Sequence, residues 1–255
     1  MRILRLAASD EAPGRLPAGA SIPEIIASLV EAETGEPVDI KLRAAWPSDA
    51  LPGLIDRWLD EYEPDIVFLK VNAFWFNYLS LPLQIERKFG RVGRPINKLG
   101  KQVGELRPVS SSRPYRVARK YLLRVFPGAT YFTPEAVVAS MQECVRVVLA
   151  REGIGLVVSG PASRLNHELS RSAAAAHEAR RQLVHQSMNR FCAEVHVPYF
   201  GMDRVPTKAE ISATVGSDGL HVNEAASRAL AEEEAAALVT LWRTMHESGT
   251  TALRN

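Results

Sequence analysis

The chain has 255 residues, of which 46% are hydrophobic and 24% are charged, and its formal net charge is +2. A chain of this length can bury about three quarters of the surface that it exposes when unfolded, so we expect one enzyme-sized domain over residues 1–255. The balanced charge argues against a disordered chain and against a protein that coats nucleic acid. Cys144 and Cys192 form no close-spaced motif, which indicates neither a disulfide scaffold nor a zinc site and fits a reducing compartment best.

Five short apolar runs alternate with helix patterns along the chain. The runs predict strands at Arg2–Leu6, Val38–Leu42, Asp65–Val71, Ile154–Val158 and Ala193–Val197. Helices are predicted from Ser21 to about Glu33, from Ser48 or Asp49, from Thr133, from about His167 to Asn189, and from Asn223 to about Met245. Because crossovers through helices join parallel strands, the sequence predicts an α/β fold, a three-layer α/β/α sandwich with a five-stranded parallel sheet.

The stretch from 74 to 132 breaks this alternation. A crossover between parallel strands needs far fewer residues, so this stretch predicts a cap-like insertion above the strand ends. It opens with an aromatic run, and we expect Phe74, Trp75 and Phe76 to line a substrate pocket.

The middle of the predicted cap is strongly basic. Residues 87–124 contain twelve Lys or Arg and one acidic residue, Glu105. Such a stretch indicates either an ordinary solvated surface or a surface that attracts an anionic partner.

Residues suited to nucleophilic catalysis follow the predicted strands. Ser9 comes just after the first strand and Asn72 just after the third, at the edge of an open α/β sheet where ligands bind. Asp218 and His221 share one loop before the last helix. In a triad, Asp218 would fix the tautomer of His221, and His221 would take the proton of Ser9. The Asn72 amide would then face the oxyanion.

In this order and placement, the residues resemble the SGNH/GDSL hydrolase family. In that family a Ser follows the first strand, a Gly the second and an Asn the third, and an Asp-x-x-His block precedes the last helix. The matching residues here are Ser9, Asn72, Asp218 and His221, with Ala44 or Ala45 in the place of the glycine. The resemblance extends over essentially the whole chain.

The resemblance implies a serine-dependent hydrolase of carboxylic esters, similar to esterases and lipases. The oxyanion would be bound by the backbone N–H of Ser9, a backbone N–H near Ala44 or Ala45, and the Asn72 amide. No metal or organic cofactor is implied. The expected partner is a small ester or acyl compound, anionic or lipid-like if the basic stretch attracts it, and residues 87–124 are also a candidate for peripheral membrane contact.

Two alternatives keep the same fold. An acyltransferase would pass the acyl group to an alcohol instead of water. A non-catalytic SGNH-like binding protein is favoured by departures from the family pattern, in which Ala7 and Ala8 replace Gly-Asp and Lys70 replaces the Gly before Asn72.

Other classes fit the sequence less well. A flavodoxin-like phosphate binder is disfavoured because no glycine-rich loop follows the first strand. Specific nucleic-acid binding through the basic stretch is a weaker hypothesis. The first strand is too short for a signal peptide core and no apolar run is long enough to span a membrane, so we expect a cytoplasmic protein.

Overall fold

The computed structural model describes residues 1–6, 11, 19–90, 117, 121, 129–162, 171–201, 210, 213–214 and 223–252. Within them, one sheet of five parallel strands has the order β2-β1-β3-β4-β5. The strands are β1 (Arg2–Leu6), β2 (Asp39–Arg43), β3 (Ile66–Lys70), β4 (Gly155–Ser159) and β5 (Tyr199–Phe200). The predicted α/β fold with a five-stranded parallel sheet is confirmed.

Helices cover both faces of the sheet. One face carries α1 (Ile22–Thr34) and the last helix, α7 (Glu224–Ala252), and the other carries α2 (Leu51–Tyr62), α5 (Pro134–Leu149) and α6 (Arg171–Glu194). Alternate residues of the strands supply the two core layers, because successive side chains of a strand point to opposite faces. Thus Val67 and Leu69 pack on the α2 side, whereas Phe68 packs on the α1 side.

The predicted helix starts are mostly confirmed by their caps. Glu24 accepts from the backbone N–H of Ser21 at 3.2 Å, Thr133 accepts from Ala136 at 3.2 Å, and Asn223 accepts from Ala226 at 2.9 Å. The start of α2 differs, since its N-cap is Ala50 rather than Ser48 or Asp49.

The predicted strand at Ala193–Val197 is wrong. Helix α6 continues through Glu194, and the Val197 N–H donates to the Cys192 carbonyl at 2.8 Å, so this stretch closes a helix end. His196 takes a left-handed φ of 57° there, and the fifth strand follows at Tyr199. The alternation of Val195 and Val197 comes from residues that fold back onto the core after a helix, which mimics a strand in sequence.

The long helices α1, α2, α5, α6 and α7 contribute the buried side chains that cover the sheet. No helix in the described ranges combines the length and the apolar character that crossing a bilayer requires. Cys144 on α5 and Cys192 on α6 are free and buried in the core, and burial raises the pKa of each thiol to about 12. Both thiols are therefore protonated at neutral pH.

The stretch after β3 opens with two short helices, α3 (Phe74–Asn77) and α4 (Leu81–Phe89). Ser80 forms an antiparallel bridge with Ala129, and the Phe132 N–H donates to the Trp75 carbonyl at 3.3 Å. The two ends of the predicted insertion therefore lie side by side. Most of its middle, with most of the basic stretch, falls outside the described residues, and its role as a cap stays a prediction.

We expect Thr133→Ala to lower the free energy of unfolding by about 1 kcal/mol, because it removes the side-chain acceptor at the start of α5. Urea denaturation measures this difference. The matched control is Thr240→Ala, whose hydroxyl donates to the Ala236 carbonyl within α7 and caps no helix end. An equal loss of stability in both variants would contradict the capping role.

Candidate active site

Three strand ends meet at one edge of the sheet. Leu6, at the end of β1, pairs in register with Arg43 of β2 and with Leu69 of β3. Because parallel strands end at the same edge, the residues that follow these three strands share one region. The chain order also reverses here, since β2 lies on one side of β1 and β3 on the other. Open α/β sheets bind ligands at such a switch point.

Helix α7 runs antiparallel to the strands. Its residues Leu241 and Met245 pack on Gly155 at the start of β4, whereas Glu234 contacts Lys70 at the end of β3. At about 1.5 Å of rise per residue, Glu224 lies roughly 15 Å beyond Glu234 in the direction of the carboxyl edge. The start of α7 is therefore at the edge where β1 and β3 end.

Three of the predicted site residues, Ser9, Asp218 and His221, lie outside the described residues. Their neighbours in the chain are described. Leu6 ends β1 at the carboxyl edge, and Asn223 caps the helix that starts at this edge. The hydrogen bonds predicted among the three side chains stay predictions.

Asn72 lies at the same edge with its side chain oriented. Its Oδ1 accepts from the Phe74 N–H at 2.9 Å, and its carbonyl accepts from the Trp75 N–H at 3.1 Å. Because Oδ1 is the acceptor, the amide nitrogen Nδ2 is on the other branch of the side chain with two N–H donors. A fixed amide of this kind suits an oxyanion, since it need not reorganise when charge develops.

Ala44 and Ala45 follow β2 at this edge. Ala44 is exposed, and Ala45 packs partly against the core. Among the described residues other than glycine, only Glu63 and His196 have a positive φ, so neither alanine occupies a backbone conformation that would require glycine. Alanine therefore fits where the SGNH pattern has glycine.

The aromatic run after β3 divides between core and surface. Trp75 and Phe76 are 4% and 0% exposed and belong to the core, so their side chains present no surface to a ligand. Phe74 is half-buried and stacks on Tyr78 with ring centroids 4.4 Å apart. Of the three predicted pocket residues, only Phe74 keeps an accessible ring.

A second aromatic contact was missed by the sequence analysis. Trp46, three residues after β2, is 47% exposed. Its ring centroid lies 5.3 Å from Tyr131, 5.9 Å from Phe132 and 6.0 Å from Phe74. We call Trp46, Phe74, Tyr78, Tyr131 and Phe132 the aromatic wall. The wall adjoins Asn72 through Phe74, and its only signal in the sequence is that Trp46 follows a strand end.

Four charged side chains form a buried cluster, which we call the charge quartet: Arg5 of β1, Lys70 of β3, Glu234 of α7, and Glu11. The Lys70 ammonium lies 3.1 Å from a carboxylate oxygen of Glu11 and 3.1 Å from one of Glu234. Arg5 donates through Nη2 to Glu234 at 2.6 Å and through Nε to Glu11. Each cation thus contacts both carboxylates, and no side chain of the four is more than 9% exposed.

The quartet compensates its own charge. Burial alone would raise the pKa of Glu11, but the charges of Arg5 and Lys70 lower it to about 2. Burial would lower the pKa of the Arg5 guanidinium, yet Glu11 and Glu234 raise it. Arg5 also lies over the Phe68 ring, 4.2 Å from its centroid. Charged residues in the two central strands of a parallel sheet are the sequence signal that indicates such a cluster, because buried charges have to be paired.

Both histidines on α6, His177 and His185, are buried. His185 Nδ1 lies 2.9 Å from the Tyr199 hydroxyl, and burial, with the nearby charge of Arg180, lowers the pKa of His177 to about 4. Within the described ranges, no three His, Cys, Asp or Glu side chains lie together as metal ligands.

Solved structures share this architecture. No protein-family model matches the sequence, and no curated protein matches it significantly. A carbohydrate acetylesterase family member from Sinorhizobium meliloti aligns with a TM-score of 0.52 and 12% identity over 96% of this chain and 98% of its own. A protein named as a GDSL-like lipase from Parabacteroides merdae aligns with a TM-score of 0.52 and 12% identity over 93% and 95%. A psychrotrophic esterase from Pseudoalteromonas aligns with a TM-score of 0.51 and 14% identity over 100% and 99%.

The chain has the SGNH-hydrolase fold. Identities this low establish the fold alone, so the activity has to be argued from the residues at the carboxyl edge. In this fold Lys70 stands where the family pattern has glycine, and its ammonium is held by two carboxylates of the charge quartet. The departure at Lys70 is therefore accommodated by Glu11 and Glu234 on the same chain.

The lowered pKa of Glu11 predicts a contribution to acid unfolding. The folded value of about 2 is below the ordinary 4.5, so the stabilisation by Glu11 is complete above pH 4.5 and is lost as the pH falls through 2. In Glu11→Gln we expect the unfolding free energy to fall less steeply over this range, by up to roughly 1.4 kcal/mol per pH unit. Urea titrations at a series of pH values measure the slope.

The control for this measurement is Thr240→Ala, because Thr240 is exposed on α7 and carries no ionisable group. Its slope should equal that of the wild type. If Glu11→Gln also shows the wild-type slope, the pKa of Glu11 does not change on folding and the prediction is wrong.

Proposed function

We propose that this protein hydrolyses carboxylic esters with Ser9 as its nucleophile. The observation that carries the proposal is the oriented amide of Asn72, which stands at the switch point of an SGNH-type sheet. The start of α7 at the same edge supports it, because Asp218 and His221 precede that helix in the chain. The structural neighbours named as esterases are consistent with this chemistry.

In the proposed reaction, Ser9 Oγ attacks the acyl carbonyl while His221 takes the hydroxyl proton. Asp218 holds the tautomer of His221 and stabilises the imidazolium. The negative charge on the tetrahedral oxygen is met by the Asn72 amide, by the backbone N–H of Ser9 and by a backbone N–H near Ala44 or Ala45. His221 then returns its proton to the leaving alkoxide, and water, activated in the same way, releases the acid.

The aromatic wall supports a substrate with an apolar or ring-shaped group. Trp46 is partly exposed next to Phe74, whose N–H is bonded to Asn72 Oδ1, so the wall adjoins Asn72. Ring faces of this kind bind planar or apolar groups. From the sequence we further propose an anionic head group, attracted by the basic residues between 87 and 124.

Fluorophosphonate labelling tests the nucleophile directly. We expect the probe to modify Ser9 in the intact protein and Ser9→Ala to abolish both labelling and hydrolysis of short nitrophenyl esters, because the acyl-enzyme cannot form. Asn72→Ala should retain Ser9 labelling but lower kcat about 10²- to 10³-fold, through loss of one oxyanion donor.

The matched control for the nucleophile is Ser21→Ala, which alters a cap of α1 and should keep labelling and hydrolysis. Labelling at another serine, or full activity in Ser9→Ala, would refute the assignment. A folded wild type that takes no label and hydrolyses no ester would instead favour the non-catalytic binding protein.

The aromatic wall predicts an acyl preference that depends on Trp46. In Trp46→Ala we expect kcat/KM for benzoate or hexanoate esters to fall roughly three- to tenfold relative to acetate esters, since one ring contact is lost. The control is Trp242→Ala, because Trp242 lies on α7 near the start of β4, at the opposite edge of the sheet. An unchanged ratio in Trp46→Ala would exclude the wall from substrate binding.

A further inference from the structure

Glu11 is buried only two residues after Ser9 in the chain. Its carboxylate contacts Arg5 within β1, the same strand that ends at Leu6. Both flanks of the short stretch that contains Ser9 are therefore attached at the carboxyl end of β1. One flank is held by the strand ladder, and the other by a buried ion pair.

The other members of the quartet lie on elements that neighbour the remaining candidate catalytic residues in the chain. Lys70 ends β3, two residues before Asn72. Glu234 belongs to α7, the helix that follows Asp218 and His221. Glu11 and Glu234 both bind Lys70 and Arg5, so one ionic cluster joins the three elements to which the whole candidate site is attached.

We propose that Glu11 is a positioning residue, which through the charge quartet holds the end of β3 before Asn72 and helix α7 in a fixed relation to the end of β1. This inference rests on the proposed hydrolase function. Glu11 has no accessible side-chain surface, so it acts through the elements that it joins and not on the substrate. Buried charges are compensated only while their partners stay close, and displacement of the chain near Glu11 is opposed by the exposure of unpaired charge.

A purely structural role is distinguishable from this one in physical terms. A buried cluster of paired charges is often no more stable than apolar side chains of similar volume. Replacing one cation and one anion by apolar side chains should therefore keep the protein stable. It should still remove the ionic contacts that join β3 to Glu11 and α7. Nucleophile placement is sensitive to such a change, since a shift of about 1 Å can cost about 10²-fold in rate.

The experiment compares Glu11→Met with the double variant Glu11→Met/Lys70→Met, both in the full chain. The single variant leaves an unbalanced cation and should lower the urea midpoint of unfolding. The double variant leaves Arg5 paired with Glu234 and should recover most of the midpoint. We expect kcat for a short nitrophenyl ester to stay roughly 10- to 100-fold low in the double variant, with KM changed less than about threefold.

Hydrogen exchange supplies a readout that does not need activity. The amides of Val71, Phe74 and Trp75, which follow β3 and are hydrogen-bonded, should exchange faster in the double variant than in the wild type. The control is Val145→Ala, a core truncation on α5 that lowers stability without touching the quartet, and it should leave kcat and these amides unchanged.

Restored kcat in the double variant, or unchanged exchange at Val71, Phe74 and Trp75, would overturn the positioning role. Failure of the hydrolase proposal is a different result, because the wild type itself would then take no fluorophosphonate and release no product. If the single variant does not fold, the double variant still decides the question.

Discussion

Two carboxylates and two cations meet in the space between β1, β3 and α7, with almost no contact with water. Removing four charges from water is costly, and the cost is offset only if each charge has close partners of opposite sign. Arg5 and Lys70 each contact both Glu11 and Glu234, which meets that condition. The relative placement of the two central strands and the last helix is therefore tied to one set of ionic contacts.

This constraint is specific in direction. The hydrophobic effect is itself non-directional, whereas ion pairs with hydrogen-bond geometry favour one alignment of their partners. Glu234 fixes α7 beside Lys70, and the close packing of Met245 at Gly155 fixes it near the start of β4. The start of α7 is set at the carboxyl edge by these two contacts.

The sheet and most helices could be predicted from the sequence because their signals are local. Continuous apolar runs and cap residues such as Thr133 and Asn223 need no knowledge of distant partners. The fifth strand could not be predicted, since Val195 and Val197 reach the core from a helix end and carry the same alternation as a strand. Likewise, the burial of Trp75 and Phe76 depends on packing against the core and not on their own run of residues.

The sequence places Asn72 directly after β3, and the structure adds that its Oδ1 accepts from the Phe74 N–H at the start of α3. The roles of Ser9, Asp218 and His221 stay predictions, because these residues lie outside the described ranges. The quartet joins residues at positions 5, 11, 70 and 234, which no local pattern relates. The single hint was that charged residues occupy buried central strands, where an unpaired charge would be unstable.

The charge quartet also explains how a lysine is accommodated at position 70, where the SGNH pattern has glycine. Taken alone, a lysine in place of glycine two residues before Asn72 favours the non-catalytic alternative, because its long side chain would fill the site proposed for the oxyanion. Here the ammonium is bound by two carboxylates on the buried side of β3, and the Asn72 amide is held separately by the backbone of α3. Lys70 therefore departs from the SGNH pattern as one member of a buried ionic cluster, whose other members are Arg5, Glu11 and Glu234. Such a cluster at the strand ends ties Leu6, which ends β1, Lys70, which ends β3, and α7 to one set of ionic contacts.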